Sequence, residues 1–235
     1  VALNIYRTSD TINVDNTPRF RTRFSFVGRV VFPDSAPDSV LQAPAIERSP
    51  VPVFRLMTTH QGALIIANTP EDPGLVMRSE PGFPGTFASH QRVYPDSGGA
   101  AVTAITTHSG VLLAFTADSV YSLEDFSQPR PLSRSVGCIA PRSIAALSDG
   151  TLIWLSRKGF YAMRQGGLPQ FISGNINATV REDINRGRAH LATAAVSPET
   201  GEYRCALAPA GSNRNKLIIT FDGGGFRRLK LGHHI

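Results

Sequence analysis

Two histidines in one repeated motif are the first residues in this sequence that could do chemistry. Thr58-Thr59-His60-Gln61-Gly62 returns as Thr106-Thr107-His108-Ser109-Gly110, and a shared motif could supply metal ligands or an acid-base pair. Corresponding positions of two repeats belong to different sheets, however, and a third copy of the motif carries Ser148 or Asp149 there. We therefore predict that His60 and His108 are structural residues beside turns.

The acidic residues form no pattern typical of an active site. Glycoside hydrolysis needs two carboxylates that face one sugar, and the candidates sit in predicted turns without a spacing that pairs them: Glu71, Asp72, Glu80, Asp96, Glu124 and Asp125. The sequence contains no Gly-x-Ser-x-Gly elbow, no phosphate-binding loop and no Cys-x-x-Cys. These observations predict a protein that is not an enzyme and that uses no cofactor and no metal.

Positive charge is concentrated toward the end of the chain. The 24 Lys and Arg outnumber the 18 Asp and Glu, which gives a net charge of +6, and after Cys205 the only acidic residue is Asp222. Such a region is typical of contacts with nucleic acid, membrane or an acidic protein, although the same residues could simply face solvent on a last repeat. The candidate interaction surface consists of Arg214, Lys216, Arg227, Arg228 and Lys230.

Hydropathy and cysteine content narrow the class of protein. No run reaches the 18 apolar residues of a membrane span, and the pattern of a signal peptide is missing, so we predict a soluble product made in the cytoplasm. Cys138 and Cys205 are too few for a disulfide framework, and we expect both to be small buried apolar groups.

The elements that would position all these residues repeat along the chain. The motif glycines are residues 62, 110, 150 and 201, so the steps are 48, 40 and 51 residues. Each copy reads as a hairpin of two apolar runs followed by a third strand and a short outer strand that carries Arg or Pro. Four antiparallel strands in about 45 residues is the size of a propeller blade. The sequence predicts an all-β fold, a β-propeller or partial propeller of about four four-stranded blades, with two sandwich domains as the alternative.

Two segments stand outside the repeats. Residues 1–8 read as a strand and residues 33–52 are rich in proline, so we predict a small N-terminal β element and its connection over residues 1–50 and the repeat domain over residues 51–235. From Asn175 an apolar residue recurs every four positions, at Ile176, Val180 and Ile184. This spacing predicts one short helix between the third and fourth repeats, which Gly187 can end.

Five passages, in the same order, resemble a group of bacteriophage tail proteins. They are residues 6–10 with 24–28 (YRTSD and FSFVG), residues 79–84 (SEPGFP), residues 110–116 with 119–121 (GVLLAFT and SVY), residues 137–144 (GCIAPRSI) and residues 154–161 (WLSRKGFY). Together they extend over about two thirds of the chain. The run Thr69-Pro70-Glu71-Asp72-Pro73 departs from the pattern, because the related sequences have a shorter turn there.

The resemblance implies a structural virion component of a phage tail or neck, such as a nozzle or tail-tube ring of identical subunits. It implies contacts with other tail or neck proteins and with passing DNA, localisation in the virion after assembly in the host cytoplasm, and no known catalytic residues to carry over. The alternative is a propeller that binds host glycans. Sugar stacking there would need an aromatic platform, and the only tryptophan, Trp154, falls in a predicted inner strand.

Overall fold

The computed structural model describes residues 2–7, 19–25, 51–88, 90–176 and 178–229. The chain divides into two compact units, Val1–Arg48 and Ser49–Ile235. In the first unit, β1 (Ala2–Arg7) pairs antiparallel with β2 (Arg19–Ser25), with an irregularity between Ile5 and Tyr6. The predicted proline-rich connection lies outside the described residues except for its last two positions.

The second unit contains four separate four-stranded antiparallel sheets, each formed by consecutive strands. Blade 1 is β3 (Leu56–His60), β4 (Ala63–Ala67), β5 (Val76–Arg78) and β6 (Arg92–Val93). Blade 2 is β7 (Ala104–His108), β8 (Val111–Phe115), β9 (Val120–Ser122) and β10 (Arg130–Ser133). Blade 3 is β11 (Ala145–Ala146), β12 (Leu152–Ser156), β13 (Gly159–Met163) and β14 (Gln170–Phe171). Blade 4 is β15 (Thr193–Val196), β16 (Tyr203–Leu207), β17 (Leu217–Phe221) and β18 (Phe226–Leu229).

The repeated hairpins form because their turns have the backbone conformation that a two-residue connection requires. Gln61 and Gly62 both have positive φ, 47° and 73°, and Ser109 and Gly110 repeat this with 49° and 79°. Two successive positive φ angles match the twist of the flanking strands, and glycine adopts the second at no steric cost. The hairpins of blades 1 and 2 therefore have the same register, with His60 opposite Ala63 and His108 opposite Val111.

Each interface between consecutive blades is an apolar core. The second strands are almost wholly buried, and in β8 and β12 alternate side chains face the two neighbouring blades. Three mixed clusters join blade 1 to 2, blade 2 to 3 and blade 3 to 4, whereas a fourth cluster, around Ile66 and Phe87, belongs to blade 1 alone. Among the described residues no core joins blade 4 to blade 1, and Met57 on the outer face of blade 1 is 66% exposed. The blades therefore form an open arc, and the sandwich alternative is wrong.

The predicted helical segment lies between blades 3 and 4, but it is three short pieces. These are a 3-10 helix at Gly174–Ile176, a π-helical turn at Thr179–Asp183 and a 3-10 helix at Arg186–Leu191. The turn ends because the next residues bond to the β16–β17 loop: Ala210 N donates to Asp183 O at 2.7 Å and Asn185 N to Ala208 O at 2.8 Å. Ile184 is extended there, with φ −104° and ψ 147°. Sheet-like pairing thus replaces helical hydrogen bonds at this point.

Candidate functional site

The predicted basic surface is divided between two places on blade 4. Arg214 and Lys216 lie on the loop before β17, whereas Arg227 is paired with Thr220 near the other end of that strand. Four residues of strand separate Lys216 from Thr220, which is about 13 Å at ~3.3 Å per residue. Lys230 lies outside the described residues.

Arg227 and Arg228 are adjacent on β18 and so face opposite sides of the sheet. Arg227 pairs with Asp222 at 2.6 Å, and Arg228 pairs with Asp183 of the helical segment at 3.4 Å. Hydrogen bonds from the Gly224 and Gly225 amides, together with Arg227, hold the pKa of Asp222 below its usual range. Both ion pairs are exposed, so they orient the arginines more than they stabilise the fold.

The motif histidines join one blade to the next. Thr107 of blade 2 donates a hydrogen bond from Oγ1 to the Thr59 carbonyl at 2.8 Å, and the same oxygen lies 3.5 Å from His60 Nδ1. His108, at the equivalent position of blade 2, bonds instead to the backbone of the Gly150 turn of blade 3. Burial lowers the pKa of both rings. Both histidines therefore lie beside turns and contact the next blade, and no group of three metal-binding side chains is found among the residues that the structure describes.

The connector between blades 2 and 3, residues 137–144, forms hydrogen bonds to both blades. Its residue types did not mark it as a candidate site in the sequence. Cys138 N bonds to Thr116 O, and Thr103 Oγ1 donates to Cys138 O at 2.6 Å, which ties the connector to blade 2. Trp154 Nε1 donates to Gly137 O at 3.1 Å, which ties it to blade 3. A Cβ on Gly137 would overlap the Thr116 carbonyl, so glycine is required there.

Ser143 extends this network to blade 4. Its hydroxyl donates to Ala140 O at 2.7 Å and accepts from Leu155 N at 2.9 Å, and its carbonyl accepts from the Tyr203 hydroxyl at 2.8 Å. Ser143 and Tyr203 are both fully buried. One connector therefore fixes three consecutive blades. In the sequence, residues 137–144 stood out only as one of the passages that resemble tail proteins. The role of Tyr203 could not be predicted, because it lies 60 residues from Ser143.

The predicted core residues are confirmed. Trp154 is fully buried, packs against Phe115 and Tyr161, and cannot serve as a sugar platform. Cys138 and Cys205 are free, buried thiols, and burial raises the pKa of each to about 12. None of these groups is available to a ligand.

Two cavities lie beside the blade 3 and blade 4 interface, at opposite ends of the strands. The first, of about 410 Å³, is lined by the Asp149 turn, by Arg164 and by Gly223 of the β17–β18 hairpin. The second, of about 310 Å³, lies between the β12–β13 turn and the helical segment and has Arg157, Arg186 and His190 at its edge. The second cavity could not be predicted from the sequence, because its walls come from three separate segments, at Ile139, at Ser156 and Arg157, and at residues 180–190.

No protein-family model and no curated protein sequence matches this chain. Three solved structures similar to this chain are those of lyases. Selenomethionine-substituted virginiamycin B lyase from Staphylococcus aureus is 12% identical, with a TM-score of 0.49, and a streptogramin B lyase is 11% identical, with a TM-score of 0.48. Each alignment covers 76% of this chain, which spans 55% of the length of either lyase.

A catalytically inactive virginiamycin B lyase from Staphylococcus aureus, solved with quinupristin, is similar over more of the chain. The identity is 9%, the TM-score is 0.51, and the alignment covers 98% of this chain and 74% of the lyase. At this identity the likeness concerns the fold, which is that of a β-propeller. The class that fold and comparison define is therefore an all-β partial propeller of four blades.

The comparison corrects one prediction. The chain was expected not to be an enzyme, but a solved structure that shares its fold over most of the chain is that of a lyase, which is an enzyme. The prediction is wrong because it treated the lack of known active-site motifs as decisive. Propellers build sites from loops of several blades, which a search for local motifs does not detect.

Among the described residues, no helix is long and apolar enough to cross a membrane.

Proposed function

We infer that this chain is a structural component of a bacteriophage tail or neck, in which the propeller arc is a rigid part of the DNA passage assembly. The proposal starts from the five ordered passages that resemble phage tail proteins. It gains support from where those passages lie in the fold.

The observation that carries the proposal is a hydrogen bond between two of the passages. Trp154, from residues 154–161, donates to the carbonyl of Gly137, from residues 137–144, at 3.1 Å. A third passage is fixed in a similar way, since Gly82 N donates to Gly62 O at 2.9 Å and Leu64 N donates to Ser79 Oγ at 2.9 Å. Two of the passages therefore meet at the joint between blades 2 and 3, and a third is bonded within blade 1, as expected for a protein whose role depends on its shape.

The distribution of charge suggests how DNA would meet such an assembly. The four first strands, β3, β7, β11 and β15, contain no Asp, Glu, Lys or Arg. Exposed arginines lie instead on outer strands, at Arg92, Arg130, Arg227 and Arg228. Contacts with DNA or with acidic tail proteins would therefore use the outer edges of the blades.

A ring of identical subunits fits this picture. An open arc has a free face at each end, and a head-to-tail contact between copies closes into a ring when the rotation between them is right. The charged candidates on blade 4, Arg214, Lys216, Arg227 and Arg228, would then contact neighbouring subunits or other tail proteins, together with Lys230 of the candidate surface.

Immunogold electron microscopy tests the proposal. Antibody raised against the purified chain is applied to intact and disrupted phage particles from the source lysate, with antibody pre-absorbed on the chain as the control. We expect label confined to the tail or neck. Absence of label from both preparations, with the antibody active on the free protein, would overturn the proposal.

A further inference from the structure

The cavity between the helical segment and blade 3, here called the insert cavity, has an apolar floor. Val180, Ile184 and Ala189 are 4%, 8% and 4% exposed and belong to the core between blades 3 and 4. The cavity volume of about 310 Å³ is at the lower end of small-molecule sites, which range over about 300–1,000 Å³. A floor built into the core is held in place without a ligand, so the cavity is pre-formed.

The edge of the insert cavity is cationic. Arg157, Arg186 and His190 line it, together with the buried Ser156 hydroxyl. Of the residues the structure describes, only Asp118 forms an ion pair with one of these groups, at 3.3 Å from Arg157, and both side chains of that pair are 63% exposed. A pair so exposed to water holds Arg157 weakly and leaves it able to turn toward another anion.

The cavity at the other end of the same interface provides a contrast. Its charged lining residues, Asp149 and Arg164, lie 4.0 Å apart and balance each other. The insert cavity has two arginines and a histidine without a lining carboxylate. Its positive charge is therefore a property of this cavity rather than of every groove between blades.

We propose that the insert cavity binds a small organic anion, a carboxylate or phosphate monoester that carries a compact apolar group. The apolar group lies on Val180, Ile184 and Ala189, and the anionic group contacts Arg186 and Arg157. Guanidinium groups bind carboxylate and phosphate through two parallel N–H donors, which gives both orientation and strength. The site goes beyond the proposed role in a phage tail. Ser156 and Arg157 belong to one of the passages that resemble tail proteins, but their side chains take no part in the hydrogen bonds argued for that role.

Isothermal titration calorimetry with the purified chain tests the site. The probes are phenylacetate and phenyl phosphate, with 2-phenylacetamide as the neutral isostere of the carboxylate. We expect at least one anion to bind with a dissociation constant below a few millimolar, and the amide to bind at least about tenfold more weakly because it lacks the charge-assisted hydrogen bonds. Comparison of the two anions tells which head group the site prefers.

A matched pair of variants locates the binding. Arg186→Gln removes a lining guanidinium, whereas Arg188→Gln changes a residue two positions away whose Nε donates to Asn213 Oδ1 at 3.3 Å and which does not line the cavity. Both side chains are exposed, so neither change should alter thermal stability. We expect Arg186→Gln to weaken anion binding about tenfold or more and Arg188→Gln to leave it unchanged. Equal loss in the two variants, equal affinity for anion and amide, or no binding of either anion would each overturn the proposal.

Discussion

Removing a single buried hydroxyl tests whether the connector between blades 2 and 3 also fixes blade 4. In Tyr203→Phe the ring keeps its edge contact with Phe160, at 6.0 Å between centroids, and no cavity forms. The change removes the hydrogen bond from the Tyr203 hydroxyl to Ser143 O, which leaves a buried acceptor without its partner, and also the contact of that hydroxyl with the buried Cys205 thiol. The expected loss in free energy of unfolding is about 1–2 kcal/mol.

Ser143→Ala should cost more than Tyr203→Phe. The Ser143 hydroxyl serves two partners. Its removal leaves the buried Leu155 N–H without an acceptor and takes one donor from the Ala140 carbonyl, which keeps those of the Ser143 amide and the Cys138 thiol. We expect a loss of about 2–3 kcal/mol. The matched control is Tyr94→Phe, because Tyr94 is 49% exposed and its hydroxyl donates to Asp72 at the surface. That loss should stay within about 0.5 kcal/mol.

Urea unfolding followed by tryptophan fluorescence measures all three variants, since Trp154 is bonded to the same connector. At about 2–4 °C per kcal/mol for a chain of this size, calorimetry should find the melting temperature of Tyr203→Phe about 2–8 °C lower. The predicted order of loss is Ser143→Ala, then Tyr203→Phe, then Tyr94→Phe. If Tyr203→Phe is as stable as Tyr94→Phe, the connector does not hold blade 4.

Four further perturbations follow from the packing and the charges. Gly137→Ala should lower the free energy of unfolding by about 3 kcal/mol or more, because the new Cβ would overlap a carbonyl. Gly85→Ala, where a Cβ meets open space, should change it by less than about 0.5 kcal/mol. Equal urea midpoints of the two variants would contradict this. Burial lowers the pKa of His60 and His108, so below pH ~6.5 the unfolded chain binds more protons than the folded chain. The free energy of unfolding should therefore fall as the pH drops through that value. Changing both histidines to Gln should reduce this pH dependence, and an unchanged pH dependence would refute the assignment. Because burial raises the pKa of both cysteines to about 12, neither should react with Ellman's reagent at pH 8 until the chain unfolds, and rapid reaction of the native protein would contradict their placement. Replacing Arg227, Arg228 and Lys230 together by Glu should reduce assembly into particles while the melting temperature stays close to that of the parent, and a normal infectious yield would exclude this surface from assembly.

The blades could be predicted from the sequence because their signals are local. The Gln61-Gly62 and Ser109-Gly110 turns set the hairpins, and the apolar runs after them are the buried second strands. Because this local pattern repeats along the chain, the propeller could be predicted. The number of blades followed from counting the copies.

The helical segment and the cavity could not be predicted in detail because their causes are non-local. Val180 and Ile184 are buried as their spacing indicated, but the helix breaks where Asp183 and Asn185 bond to Pro209's neighbours, Ala208 and Ala210. No residue near Asp183 in the sequence predicts that pairing. Likewise, Arg157 and Arg186 meet at one cavity only because the segment folds back over blade 3.

The predicted basic surface shows the limit of reading charge along a chain. Arg227 and Arg228 are adjacent in sequence, yet strand geometry turns them to opposite faces, and each has its own acidic partner. Closeness in sequence therefore did not define one surface.

Cryo-electron microscopy of phage particles from the source lysate tests the central claim most directly. The account predicts density in the tail or neck that fits four stacked four-stranded sheets in an open arc, present in several copies related by the symmetry of the particle. The Trp154 and Gly137 connector should be resolved between the second and third blades. A well-resolved tail and neck in which no region accepts this arc would contradict the account.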